Sequence, residues 1–215
     1  MQHRISTPDL LEPKGMIRLK TYRAGTIDAM MPHLLLARRL RHAAGDGQGI
    51  IRSKMMERVI AADALVKQIL EEGFIETAVE CPNLIMQGAL TGKDLFVQYL
   101  CATGLVGATI YPGGINYAGI GSGSTAPTVS DTQLQTEVVR VAIANAIDFG
   151  YNQAQLQFFF TDALLANGTY REVGTFMNAT GTANSGKIFN RSLLGTPYVK
   201  TTGIDTTLEV DITLT

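Results

Sequence analysis

Apolar and polar positions alternate in several stretches of this chain, and one long block between the first two stretches carries helical spacing instead. Ile17, Leu19 and Thr21 alternate with Arg18, Lys20 and Tyr22, which predicts a half-buried strand. Phe74, Ile75, Thr77 and Val79, with Glu76 and Glu80 between or beside them, predict another strand that Cys81-Pro82 ends. Between the two, residues 28–42 predict a helix, with Pro32 in its first turn and Leu34, Leu35 and Leu36 ahead of a basic last turn at Arg38, Arg39 and Arg41. The run Ala44-Gly45-Asp46-Gly47-Gln48-Gly49 predicts a mobile loop, because three glycines so close together cost too much backbone entropy to stay regular. A second helix is predicted over residues 53–72, burying Met56, Val59, Ile60, Ala64, Leu65 and Ile69 and stopping at Gly73. Residues 1–15 read as an extended arm, since Thr7-Pro8 and Glu12-Pro13 hold their first residues away from helix. Residues 83–90 and 93–103 predict turns of helix split by Gly88 and Gly92.

After Tyr111-Pro112-Gly113-Gly114 the pattern turns to β. Ile115, Tyr117 and Ile120 lead into Gly119, Gly121 and Gly123, and Ser130-Asp131-Thr132-Gln133 has the capping-box spacing of a short helical turn carrying Leu134. Strands are then predicted on Val139, Val141, Ile143 and Ile147, on Leu156, Phe158 and Phe160, on Tyr170, Val173 and Phe176, and on Ile188 and Leu193. Asn167-Gly168 is a hairpin signal, because both residues accept positive φ. Leu208, Val210, Ile212 and Leu214 alternate with Glu209, Asp211 and Thr213 in a closing strand. With no internal repeat visible, the pattern predicts an α+β fold: a C-terminal antiparallel β-sandwich with an N-terminal extended arm and a helical insertion. The divisions are an arm at 1–15, a helical and mixed α/β attachment region at 16–110, and the β-sandwich domain at 111–215.

Composition narrows the partners. Charge is low and balanced, at a formal net of −1, so no long-range field marks a binder of nucleic acid or of an anionic membrane. No window holds the roughly 18 uninterrupted apolar residues of a spanning helix, and the arm lacks the apolar stretch of a signal peptide. The two cysteines, Cys81 and Cys101, read most simply as buried free thiols.

Candidate chemistry is sparse. Gly119-Ile120-Gly121-Ser122-Gly123-Ser124 resembles a phosphate-binding turn, but Pro127 interrupts it and neither a long apolar helix nor a Lys-Ser/Thr ending follows, so a structural turn is the better reading. His3, His33 and His42 form no metal-ligand spacing. Glu209 and Asp211 share one face of the last strand with Asp205 close by, a set that could bind calcium or serve a glycosidase but reads first as a solvated face guarding a sheet edge. Ser122, Ser124 and Ser130 have no histidine and acid to complete a triad. Arg38, Arg39, Arg41, Arg52, Lys54 and Arg58 concentrate positive charge without aromatic neighbours, which suits helix ends, solvent or contacts to a partner subunit. No catalytic, cofactor-binding or metal-ligating residue is assigned, and no cofactor is implied.

Several short motifs occur in a telling order: Asn83-Leu84-Ile85, then Ile115 through Pro127, then Asp131-Thr132-Gln133-Leu134 and Glu137-Val138. They are followed by Glu172-Val173-Gly174-Thr175-Phe176-Met177-Asn178-Ala179, Ile188-Phe189-Asn190-Arg191 and the alternating strand after Lys200-Thr201. Over residues 74–215 this set resembles a group of tailed-bacteriophage virion proteins described as tail or tail-fibre proteins. The resemblance implies a non-enzymatic structural component of the virion, assembled with other copies of itself and with other virion proteins at a baseplate, fibre attachment or head-tail junction. The arm and two helices exceed the simple strand expected in that group. Rival readings are a capsid-surface decoration protein, a receptor- or glycan-binding module of a tail fibre using the loops at 121–128 and 179–186, and an enzyme acting on nucleotide or cell-wall substrate.

Overall fold

A computed structural model describes residues 13–46, 49–82, 84–85, 114–150 and 153–214. Most of the arm and Cys101 lie outside the described residues, and so do the helical turns expected at 83–90 and 93–103 except Leu84–Ile85, which is a short strand paired with Asn190 and Arg191 in place of helix. The strands are β1 (Pro13–Lys14), β2 (Met16–Arg23), β3 (Phe74–Pro82), β4 (Leu84–Ile85), β5 (Ile115–Gly121), β6 (Glu137–Ala142), β7 (Asn145–Gly150), β8 (Gln153–Phe160), β9 (Gly168–Met177), β10 (Lys187–Lys200) and β11 (Ile204–Leu214). Two helices, α1 (Thr26–Asp46) and α2 (Gly49–Gly73), are inserted between β2 and β3.

Two antiparallel sheets face each other. One has the order β3-β2-β11-β8-β7, with β1 continuing the line of β2 along the end of β11, and the other runs β4-β10-β9-β5-β6. The α+β fold expected from the sequence is therefore present, as a sandwich with a helical insertion. Its sheets draw on both sides of position 111, because β2 pairs with β11, and β3 with β2, through seven positions each. The shared core takes Ile17, Leu19, Val79, Leu156, Phe158, Phe160, Leu208 and Val210 from the first sheet and Ala118, Ile120, Val141, Val173 and Tyr198 from the second. The inward residues of β2, β8 and β11 are the apolar members of their alternations, so period two sets which face turns in.

The first sheet is covered on its other face too. Ile27, Met30 and Leu34 of α1 pack with Phe159, joined by Val66, Ile69 and Leu70 of α2. This explains the unbroken Phe158-Phe159-Phe160 run, since a strand buried on both faces needs apolar side chains at both parities. Asp205 fixes the base of α1: its carboxylate accepts the Ile27 N–H at 2.9 Å and the Asp162 N–H at 2.8 Å. Gly73 ends α2 because a Cβ there would stand 2.3 Å from Thr26 Oγ1.

Several expectations are corrected. α1 runs through Ala44 and Gly45 to Asp46 and α2 begins at Gly49, so helix occupies most of the predicted loop, whose Gly47 and Gln48 lie outside the described residues. The buried face of α2 carries Val59 and Ala62, with Val66, Ile69 and Leu70 partly covered; Ile60 is 65% exposed, and Met56, Ala64 and Leu65 also face outward. The stretch from Val139 to Ile147 is two strands in different sheets, β6 and β7, because the chain crosses at Ile143-Ala144, whose N–H groups reach Asn116 O and Gln157 O. Asn167-Gly168 joins β8 of one sheet to β9 of the other and makes no hairpin; neither residue has positive φ, and Asn167 Nδ2 bonds Thr202 Oγ1 instead. No helix among the described residues is long and apolar enough to cross a membrane.

Phe158, fully buried between the sheets, sets a test of this packing. Phe158→Ala is expected to cost about 3–5 kcal/mol in urea unfolding, whereas Leu36→Ala on the exposed face of α1 stays within about 0.5 kcal/mol.

Candidate functional site

Two clusters of charged side chains stand out, and each is built by strand register. The first lies on the outer face of the sheet that α1 and α2 cover. Arg18 and Lys20 of β2, Glu209 and Asp211 of β11, and Gln155 and Gln157 of β8 fall in one band, because Glu209 pairs in register with both Arg18 and Gln157, and Asp211 with Gln155. The cations reach diagonally: Lys20 Nζ stands 2.7 Å from Glu209 Oε2, and Arg18 pairs with Asp211 and with Glu80. The Lys20–Glu209 contact is an ion pair whose geometry falls outside that of a directed hydrogen bond. Gln155 Nε2 donates to Asp211 Oδ1 at 2.9 Å.

This corrects the expectation for Glu209 and Asp211. They do share a face, but β11 is the middle of its sheet and guards no edge. Glu209 is only 4% exposed, so desolvation demands the partners that Lys20 and Gln157 supply. Asp205 precedes them on the same face and is bound to backbone, to the Ile27 N–H at the start of α1 and to the Asp162 N–H, apart from any joint site. Above the band, between the helices and the sheet, lies a cleft of about 780 Å³ lined by Leu34, Val66, Phe74, Tyr22, Gln157 and Glu209. Tyr22 meets Phe74 edge-on, with ring centroids 5.7 Å apart. Burial, reinforced by the Glu209 charge, pushes the Tyr22 phenol from 10.0 up to about 12.

The second cluster centres on Glu172 of β9, which is fully buried. Its carboxylate accepts the N–H groups of Gly123 (3.1 Å), Gln135 (3.0 Å) and Thr136 (2.6 Å), and the Nε–H of Arg191 (2.8 Å). Arg191 also donates to Asp131 Oδ2 (2.5 Å) and Thr125 O (3.0 Å), so one ion pair ties β9 and β10 to the whole loop between β5 and β6. Burial works against the Asp131 charge, but hydrogen bonds from Thr128 and Arg191 outweigh it and hold its carboxyl below the ordinary value. The glycine-rich run thus wraps an anion that the protein itself provides. A Cβ at Gly121 would stand 2.4 Å from Thr136 O, and one at Gly123 would stand 2.3 Å from Glu172 Oε1.

The capping-box spacing at Ser130 to Gln133 makes no helical turn. Asp131 accepts the Thr128 N–H and hydroxyl, and the N–H groups just beyond, at Gln135 and Thr136, go to Glu172 in place of helical carbonyls. Leu134 then drops onto Phe176 and Ile188 across a trough left by Gly119 and Gly174, which face each other in register. Beside it Arg140 makes a two-pronged pair with Glu137 (2.5 and 2.6 Å), donates to Ser185 and covers the Phe176 ring at 4.2 Å. Gln133 Nε2 reaches the carbonyls of Asn184 and Gly186, so the loop at 179–186 is braced against the segment that leads into β6.

Glu172, Arg191 and Glu137 entered the sequence analysis only as members of the ordered motifs, with no role assigned, and Arg140 did not enter it. Their signal was weak: a charged residue at a strand position surrounded by glycines marks a carboxylate that backbone approaches closely. Of the other candidates, His33 and His42 both lie on α1 and His3 lies outside the described residues. Cys81 is a free thiol in the core, pushed up to about 11 by burial and by nearby Glu80. Arg41 is paired with Asp63 across the two helices, and among the described residues no group of three His, Cys, Asp or Glu side chains could hold a metal ion. No family model, curated protein or solved structure matches the chain.

Two outcomes test these clusters. Glu172→Gln replaces a four-fold acceptor by a group that turns an N–H₂ towards backbone donors and strips Arg191 of a counter-charge, and is expected to cost about 3 kcal/mol in chemical unfolding. For Tyr22 the folded value lies above the unfolded one, so its contribution is complete below pH 10.0 and is lost as pH climbs towards about 12. Unfolding midpoints measured across that window should fall less steeply in Tyr22→Phe than in the parent chain.

Proposed function

We propose that this chain is a non-enzymatic structural component of a bacteriophage particle, in the tail or its junctions, acting by packing against copies of itself and against other virion proteins. The observation that carries this reading is the contrast between its charges and its exposed apolar side chains. Glu172, Arg191, Glu137, Arg140, Asp205 and Lys200 are buried, and each is bound to backbone or to an opposite charge that fixes a loop. Glu172, with four donors on its carboxylate, is saturated as an acceptor and serves as a brace. Apolar side chains, by contrast, stand out on the helical insertion, with Ile60 at 65%, Leu36 at 48% and Met56 at 40% exposure. Rigid loops and an apolar projecting element suit a part that assembles.

The ordered motifs of residues 74–215 supply the particle. A second reading, a receptor- or glycan-binding module, draws support from the way Gln133 and Arg140 brace the loop at 179–186. One experiment addresses both. Antibodies against the chain, applied to purified phage particles that encode it, are expected to label the tail body or its junctions in negative-stain micrographs. Label at distal fibre tips favours the second reading, and absence of the chain from purified particles overturns both.

A further inference from the structure

We propose that the cleft between the helices and the sheet is a binding site for a small neutral molecule with an apolar body and one hydroxyl group, an alcohol or a phenol. The proposal concerns a ligand rather than a subunit contact and stands apart from the virion reading. The cleft holds about 780 Å³, a size common among small-molecule sites. Its apolar lining comes from Leu34 of α1, Val66 and Leu70 of α2, Tyr22 of β2, Phe74 of β3 and Ile147 of β7. Phe74 is 42% exposed and Val66, Leu70 and Ile147 are half-buried, so this lining has apolar surface left to cover.

Charge sets the class of ligand. Each charged side chain in the lining has its opposite there: Lys20 with Glu209, Arg41 with Asp63, and Lys67 with Glu71. Among these residues no charge is left over to select an anion or a cation. Directed hydrogen bonds do not balance in the same way. Glu209 is 4% exposed and lines the cleft, yet its Oε2 accepts no hydrogen bond from the described residues, because Lys20 Nζ, although 2.7 Å away, lies outside that geometry. The nearby amides direct their donors elsewhere. Asn145 Nδ2 donates to Gln157 Oε1 (3.0 Å), and Gln157 Nε2 to Gln155 Oε1 (3.1 Å) and to the other Glu209 oxygen (3.5 Å). A buried carboxylate oxygen left without a donor is costly, and a ligand that supplies one removes that penalty. A hydroxyl can donate to Oε2 and accept from Lys20 Nζ at once, joining the ion pair without changing its charge. An ammonium would add a second cation beside Lys20, and a carboxylate would face Glu209.

Titration calorimetry on the purified full chain at neutral pH tests this, with para-propylphenol, its methyl ether and para-propylbenzoate as probes. The phenol is expected to bind with a dissociation constant below about 1 mM, and the ether and the benzoate about tenfold more weakly or not at all. Backbone amide chemical shifts should move around Tyr22 and Ile147 as the phenol is added. Phe74→Ala, whose retained fold is checked by circular dichroism, should weaken the phenol about fivefold. Glu209→Gln should weaken the phenol and leave the ether unaffected; a merely structural role for Glu209 would weaken both alike, and that result overturns the hydroxyl contact. Equal affinities for phenol and ether in the parent chain, binding that Phe74→Ala leaves unmoved, or no binding up to millimolar concentration overturns the site.

Discussion

The placement of β11 governs this molecule. The last strand of the chain lies between β2, near the other end of the sequence, and β8, and its two faces have opposite characters. Leu208 and Val210 turn into the sandwich, while Asp205, Thr207, Glu209 and Asp211 turn towards the helical layer. A central strand with one charged face can be covered only if each charge finds a partner as water is removed. β2 supplies Arg18 and Lys20, β8 supplies Gln155 and Gln157, and the start of α1 supplies the Ile27 N–H. The helical layer therefore sits where it does partly because the sheet beneath it is already neutralised.

The same demand shapes the opposite sheet. Glu172 is a full negative charge with no access to solvent, and the loop between β5 and β6 folds around it so closely that Gly121 and Gly123 have no room for a side chain. Such a cluster is costly to desolvate and contributes little net stability compared with an apolar core of equal volume. Its effect is on specificity of conformation: with Glu172 and Arg191 in place, a loop of little regular secondary structure has its Gly123, Gln135 and Thr136 N–H groups assigned to one acceptor, and alternative paths would leave that acceptor unpaired.

The parts of the fold that were legible in the sequence are those in which one face decides the outcome. β2, β8 and β11 follow their alternation, β8 with the addition of Phe159 on its second face, and Gly73 marks the end of α2 because its backbone passes against Thr26. What failed depended on distant residues. Asn167-Gly168 has the local chemistry of a hairpin, yet β8 and β9 belong to different sheets, a fact that no short window contains. The face of α2 was misjudged because apolar residues surround much of the helix, so periodicity could not tell Ile60 from Val59. Ser130 to Gln133 carry a capping box that tertiary bonds to Glu172 override. The carboxylates at 209 and 211 were found as a pair, but their burial follows from the position of β11 within its sheet, and alternation alone is silent on that.

The helical insertion shows how such a fold can carry a surface without disturbing its core. Tyr22 and Phe74 are paired in register at its two ends, so β2 and β3 would be neighbours with or without the helices between them. Asp205, Thr26 and Gly73 fix its root, and the apolar contacts with Phe159 hold its inner side. Beyond those contacts, the outer face of α2 packs on none of the sandwich strands among the described residues. Apolar residues on that face add no packing to the sandwich, so they behave as surface positions although their side chains are those of a core.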